Sequence, residues 1–266
     1  MRDDIGVLDV RGMKTAVKTP VWSEEFDSCT ALDSSIWSCD LGDGGWGNRE
    51  LQTYTRDPSN LRIEESHLVI TALKQGNRFT SARIKTEDKF TFKYGTVEAR
   101  IRVPDLGNGL WPAFWALGSR FSRIGWPACG EIILMEMGVG GAIADGAANR
   151  RIMSAAHWEN NHKHETHGVT LDHPYDLDGS FHLYRMEWTP TEIKTYIDNV
   201  RIWTLDISDT RQFHEPHFLL LNLAVGGEHT GILDSADITA PFPAEYRVDY
   251  IRIFDNGFTV IGGPDR

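Results

Sequence analysis

Three observations predict an all-β fold, a sandwich of two antiparallel sheets. Short runs alternating polar with apolar residues recur along most of the 266-residue chain, as strands with one wet face require. Glycine clusters and turn pairs separate these runs at short spacing. The 3.6-residue period of an amphipathic helix is nearly absent.

In chain order, residues 1–18 carry no such pattern and read as a loose N-terminal arm. Residues 19–266 read as a single domain, since no linker, repeat or low-complexity tract divides them. Strands are expected at 68–73, 95–103, 182–188, 193–197, 218–223 and 246–254. Asp198-Asn199, between two of these runs, reads as a hairpin turn. Glycines cluster in expected loops at 42–47, 138–141 and 226–227. The segment HWENNHKHETH at 157–167 is polar and places no histidine pair on a helix face. It reads as a solvated loop rather than a metal site. Tyr94, Trp188 and Tyr196 read as packing residues.

A net charge of −11 argues against nucleic acid or an anionic membrane surface as partner. No apolar run approaches the ~18 residues of a membrane span. The opening MRDDIGVLDVRGMKTAVKTP lacks the apolar core of a leader peptide. That leaves a cytosolic protein or a secreted one written without its leader, and a secreted, monomeric protein is the expectation taken. Cys29 and Cys39 are close enough to bridge, leaving Cys129 unpaired, yet spacing alone does not separate a bridge from three thiols. Nine tryptophans and twelve phenylalanines supply flat apolar faces with a polar edge, surfaces that suit sugar rings.

Residues 130–137, GEIILMEM, pose a sharper question. Glu131 and Glu136 bracket four apolar residues in what reads as a buried strand, where a carboxylate is costly. In a regular strand the two would lie ~16 Å apart on opposite faces. A single β-bulge returns them to one face with Cα atoms ~13 Å apart. Their side chains then approach the ~5–5.5 Å carboxyl separation of a retaining glycosidase. Trp111, Trp115, Trp126 and Trp158 lie in the flanking sequence.

GWPACGEIILMEM resembles the signature of glycoside hydrolase family sixteen, laminarinase-like enzymes, whose motif reads E-x-D-x-x-E after W-P-x-x-G. Agreement continues in WSEEFD at 22–27, GWGNRELQTYT at 45–55, TSARIKT at 80–86 and FKYGTVEARI at 92–101. It extends through GLWPAFWALG at 109–118, LNLAVGG at 221–227 and VDYIRIF at 248–254. The resemblance implies a β-jelly roll with a concave substrate cleft, and endo-hydrolysis of β-1,3-glucan, or of mixed-linkage β-1,3/1,4-glucan, with retention. A non-catalytic β-glucan-binding protein, a galactan hydrolase and a transglycosylase are the alternatives it leaves open.

By the same resemblance, Glu131 matches the nucleophile and Glu136 the acid/base. Asn48, Arg83, Trp111, Trp115 and Trp126 match sugar-binding positions, with Trp115 equally readable as core. His157 matches a helper near the acid/base or else a satisfied structural histidine. No cofactor is implied for catalysis. A structural calcium at Asp249 and Glu25 is implied, against the alternative of a surface aspartate without an ion. One position departs from the motif: Ile133 stands where the family pattern has aspartate. Losing that carboxylate relieves like-charge repulsion, which lowers the pKa of both glutamates, whereas isoleucine desolvates them, which raises it. The substitution is expected to impair or alter the activity.

Overall fold

The computed structural model describes residues 18–27 and 31–263. The N-terminal arm up to residue 17 and Cys29, with its suggested bridge to Cys39, lie outside the described residues. Two large sheets dominate. In the ten-stranded sheet the main path runs Val200–Asp206, Glu192–Ile197, His182–Trp188, Gly95–Arg102, Ala244–Phe254, His67–Gln75, Arg78–Ser81 and Gln52–Tyr54. In the nine-stranded sheet it runs Lys163–Asp172, Arg151–Asn160, Glu131–Met137, Leu110–Gly118, His217–Val225, Arg83–Lys85 and Ser38–Asp40. Neighbours pair antiparallel except Gln52–Tyr54 with Arg78–Ser81. All six strands expected from alternation are present. The Asp198-Asn199 turn closes its hairpin with positive φ at both residues, 43° and 69°, which matches the right-handed twist of the strands it joins.

The inward faces of both sheets make one core. Val97, Ala99, Ile101, Tyr184, Met186 and Trp188 of one sheet belong to the same apolar cluster as Phe114, Ile132, Leu134, Leu219 and Leu221 of the other. Alternation then dictates what the outer face of the nine-stranded sheet displays. In Leu110–Gly118, Phe114 and Ala116 enter the core, while Trp111, Ala113, Trp115 and Leu117 point the other way and floor a cavity. Asn222 does the same between core residues Leu221 and Leu223.

The Glu131–Met137 strand breaks its own alternation. Ile133 pairs with Ala155 and Glu136 with Met153, three residues against two, and the same slip occurs against Phe114 and Trp115. Leu134 and Met135 are consecutive yet both lie in the core, so the strand bulges between Ile133 and Glu136. The bulge returns Glu131, Ile133 and Glu136 to a common face. Gly138 ends the strand at φ 87°, where an added Cβ would lie 2.1 Å from the Leu110 carbonyl oxygen; only glycine fits so close to a neighbouring backbone.

The polar segment 157–167 is a correction to the sequence reading. It is the tip of a long hairpin between Arg151–Asn160 and Lys163–Asp172, turning at Asn161-His162 with φ 50° and 61°. The second strand forms the edge of its sheet and is exposed along most of its length. With no buried face, it shows no alternation to read.

Candidate active site

Glu131 and Glu136 share a cavity of about 540 Å³ with Trp46, Arg83, Trp111, Trp115, Trp126 and His229 among its lining. That volume has room for a few sugar units. Trp126 Nε1 donates to Glu131 Oε2 at 2.5 Å. Burial pushes the Glu131 carboxyl up to about 7; the Trp126 N–H and the Arg83 charge oppose this, and the negative charge of Glu136 adds to it. Glu136 is 5% exposed, and burial pushes it up to about 8. The Trp111 indole N–H is directed at Glu136 and pulls the other way, although it falls outside hydrogen-bonding geometry. Glu50 adds a further upward push.

Ile133 is 6% exposed and lines the cavity beside both glutamates. Burial thus raises the carboxyls of both Glu131 and Glu136. A raised carboxyl suits an acid that must hold its proton near neutral pH, while the Trp126 N–H and the Arg83 charge favour the ionised form of Glu131 that a nucleophile needs.

Trp126→Phe removes the donor that holds Glu131 down. The acid limb of the kcat/KM–pH profile is then expected to move up by about one unit, with a loss of roughly tenfold at pH 6. A limb that stays in place would show that this hydrogen bond does not tune Glu131.

One end of the cavity is built around Arg83. Its guanidinium lies between the rings of Trp46, 5.2 Å away, and Trp115, 4.8 Å away, with Nε 3.0 Å from Asp40 Oδ2. Trp115 Nε1 donates to Asn222 Oδ1 at 2.9 Å. Trp115 therefore belongs to the cleft, while its other contacts back onto the small Leu117–Phe218 cluster. Asn48 Nδ2 donates to Glu50 Oε1 at 3.4 Å, and Glu50 also accepts from Gln52 Nε2 at 2.6 Å and Tyr54 Oη at 3.0 Å. Burial raises the Glu50 carboxyl above its usual range. Aromatic faces beside fixed donors and acceptors form a surface for stacking and hydrogen-bonding sugars.

His157 is displaced from its expected neighbour. It pairs across the sheet with Glu131, not Glu136, and its Nδ1 lies 3.0 Å from His164 Nε2. Both rings flank Trp126, at centroid distances of 5.9 and 4.7 Å. Burial, with a smaller push from His164, brings His157 down to about 4. The histidine is thus neutral around pH 7 and sits on the Glu131 side. Glu50, Trp46, Asn222 and His229 also line the cavity, and none was singled out from sequence. Trp46, Glu50 and Asn222 fall inside matching segments, whereas His229 lies two residues beyond LNLAVGG.

The carboxylates expected near a structural calcium are each met by an arginine. Asp249 sits at a second bulge with Oδ2 2.6 Å from Arg100 Nη1. Glu25 receives two 2.8 Å bonds from Arg252, which holds its carboxyl below the usual range. Each carboxylate is thus matched by a guanidinium. Among the described residues no group of three or more His, Cys, Asp or Glu side chains is gathered for a metal.

The model for glycosyl hydrolases family 16 matches residues 48–251. The chain belongs to that family. It is 37% identical to a beta-glucanase of Rhodothermus marinus, over 88% of this chain and 84% of the relative. Among solved family 16 structures it resembles a Bacteroides ovatus mixed linkage glucan enzyme in complex with a G4G4G3G product. Identity is 34% and the TM-score 0.81, over 88% of this chain and 99% of the other. The laminarinase catalytic domain of Thermotoga maritima MSB8 is also 34% identical, with a TM-score of 0.77 over 90% of this chain and 98% of that domain. Against curated relatives the chain spans between 34% and 90% of their length. The jelly roll and the glycoside hydrolase activity expected of the sequence are those of the family.

Proposed function

We propose that this chain is a retaining endo-β-glucanase that cuts internal β-1,3 bonds in laminarin-type glucans and accepts mixed-linkage β-1,3/1,4-glucan. One observation carries the reading: a bulge sets Glu131 and Glu136 on one face of an aromatic cleft. Glu131, ionised and held by Trp126, attacks the anomeric carbon while Glu136 gives its proton to the departing glycosidic oxygen. Glu136, now a carboxylate, takes a proton from water, which attacks the glycosyl-enzyme from the face the leaving sugar vacated. Glu131 is released, and two inversions leave the β-configuration. Asn48, Arg83 and Trp115 hold sugars at one end of the cleft, and Trp111 and Trp126 flank the reacting carboxyls. A glucan polymer does not cross a membrane, so the reading carries a secreted enzyme with it.

Laminarin, lichenan, agarose and carrageenan, each assayed for reducing-sugar release, test the substrate. Release from the first two supports the reading, and release from the galactans alone overturns it. Laminarin binding without release would instead support a glucan-binding protein, the role carried in its name by a Penaeus monodon relative 25% identical to this chain.

Ile133→Asp restores the motif and adds a group that can hydrogen-bond and position Glu131. Hydrolysis of soluble β-1,3-glucan is expected to rise by about three- to tenfold. No gain over an already fast parent would show that the aspartate is dispensable here.

A further inference from the structure

His229 is a buried histidine beside Glu136, contributed by a loop rather than by the strand that bears the two glutamates. Several hydrogen bonds fix that loop. Gly140 N donates to the His229 carbonyl at 2.9 Å, Glu228 N donates to the Asn48 carbonyl at 2.8 Å, and Thr230 Oγ1 donates to the Gly227 carbonyl at 3.0 Å. The imidazole lies flat on Trp111, with centroids 4.5 Å apart and planes 17° from parallel. Its side chain is 9% exposed, and Nδ1 stands 3.5 Å from Glu136 Oε1, a long contact of the kind that tightens when substrate binds. Nε2 is buried and has no hydrogen-bond partner among the described residues. On its own strand Glu136 has Ile133 within the same cavity, which offers it no hydrogen bond.

We propose that His229 is the positioning residue for the acid/base, fixing Glu136 Oε1 through Nδ1–H so that Oε2 carries the proton to the glycosidic oxygen. The inference rests on Glu136 being the acid/base and deepens that reading. A carboxylic acid turns freely about its last torsion, so an unanchored Glu136 presents its proton to the leaving oxygen only part of the time. The stack on Trp111 and the tied loop keep the ring from following the carboxyl, and that makes it an anchor. The charge state suits the task as well. Burial brings the imidazole down to about 4, against a smaller opposing pull from the Met137 carbonyl. A neutral ring offers an N–H without the positive charge that would ionise Glu136 too early.

Leaving-group dependence separates positioning of an acid from packing. A 2,4-dinitrophenyl β-laminaribioside departs without a proton, whereas the phenyl β-laminaribioside and laminarin need one. His229→Phe keeps the aromatic stack and removes both nitrogens. His229→Asn places an amide N–H near the position of Nδ1. His229→Phe is expected to lower kcat/KM by ~10–100-fold on phenyl laminaribioside and laminarin, while the dinitrophenyl substrate stays within about threefold. His229→Asn is expected to recover part of the loss on the phenyl substrate. An equal fall on both aryl substrates, no fall on either, or no recovery with asparagine overturns the proposal. Retained turnover of the dinitrophenyl substrate also shows that the variant is folded. Glu136→Ala, run in parallel, must show the same split more strongly. If it does not, the acid/base assignment itself fails; if it does and His229→Phe does not, only the role of His229 fails.

Discussion

Glu131→Gln is expected to lower β-glucan hydrolysis by at least ~10⁴-fold while leaving oligosaccharide binding in place. The amide has the shape of the carboxyl, and its oxygen still accepts the Trp126 N–H that reaches Glu131 Oε2. It has no negative charge to attack the anomeric carbon. The sugar-holding groups around Arg83, Trp115 and Asn222 are untouched. Reducing-sugar release and calorimetric titration with a laminari-oligosaccharide measure the two properties separately. Activity within tenfold of the parent would remove Glu131 from the nucleophile role. Loss of binding together with activity would mean that the substitution disturbed the cleft.

Glu136→Gln should make the protein more stable, by an amount that grows with pH. The folded carboxyl titrates near about 8 because it is buried, against ~4.3 in an unfolded chain. Below the unfolded value both states are protonated and the group contributes no difference. As pH rises, the unfolded chain ionises first, and stability is lost until the folded pKa is passed. At about 1.4 kcal/mol per pKa unit, with allowance for relaxation around the charge, the loss at pH 9 is roughly 2–4 kcal/mol. Glutamine does not titrate, so urea unfolding should show the variant ahead by that amount at pH 9 and nearly level with the parent at pH 4. A difference that does not change with pH would contradict the burial of an ionisable Glu136. A side chain that weakens the fold so far is consistent with selection for chemistry rather than stability.

The sandwich was readable because most of its strands have one face in the core. Runs such as Gly95–Arg102 and His182–Trp188 write that difference into alternate residues. The catalytic pair was readable for the opposite reason. Two carboxylates five residues apart in an apolar strand make sense together only if the strand bulges, and Leu134 and Met135 do turn into the core side by side. The edge strand Lys163–Asp172 was not readable, since exposure on both faces erases the pattern. Nor were the arginines that occupy Asp249 and Glu25, because Arg100 and Arg252 are brought to them by sheet pairing over 149 and 227 residues. His229 escaped notice for the same reason: its partners Trp111 and Glu136 lie on two other strands, and no spacing in the chain announces them.

The stereochemistry of the first product tests the account most directly. Laminari-oligosaccharide hydrolysis followed by proton NMR within the first minutes, before mutarotation, reports the anomer released. A covalent glycosyl-enzyme on Glu131, formed and broken from opposite faces, predicts the β-anomer first and the α-anomer only as mutarotation proceeds. The α-anomer appearing first would mean a single displacement by water, and would contradict the role given to Glu131.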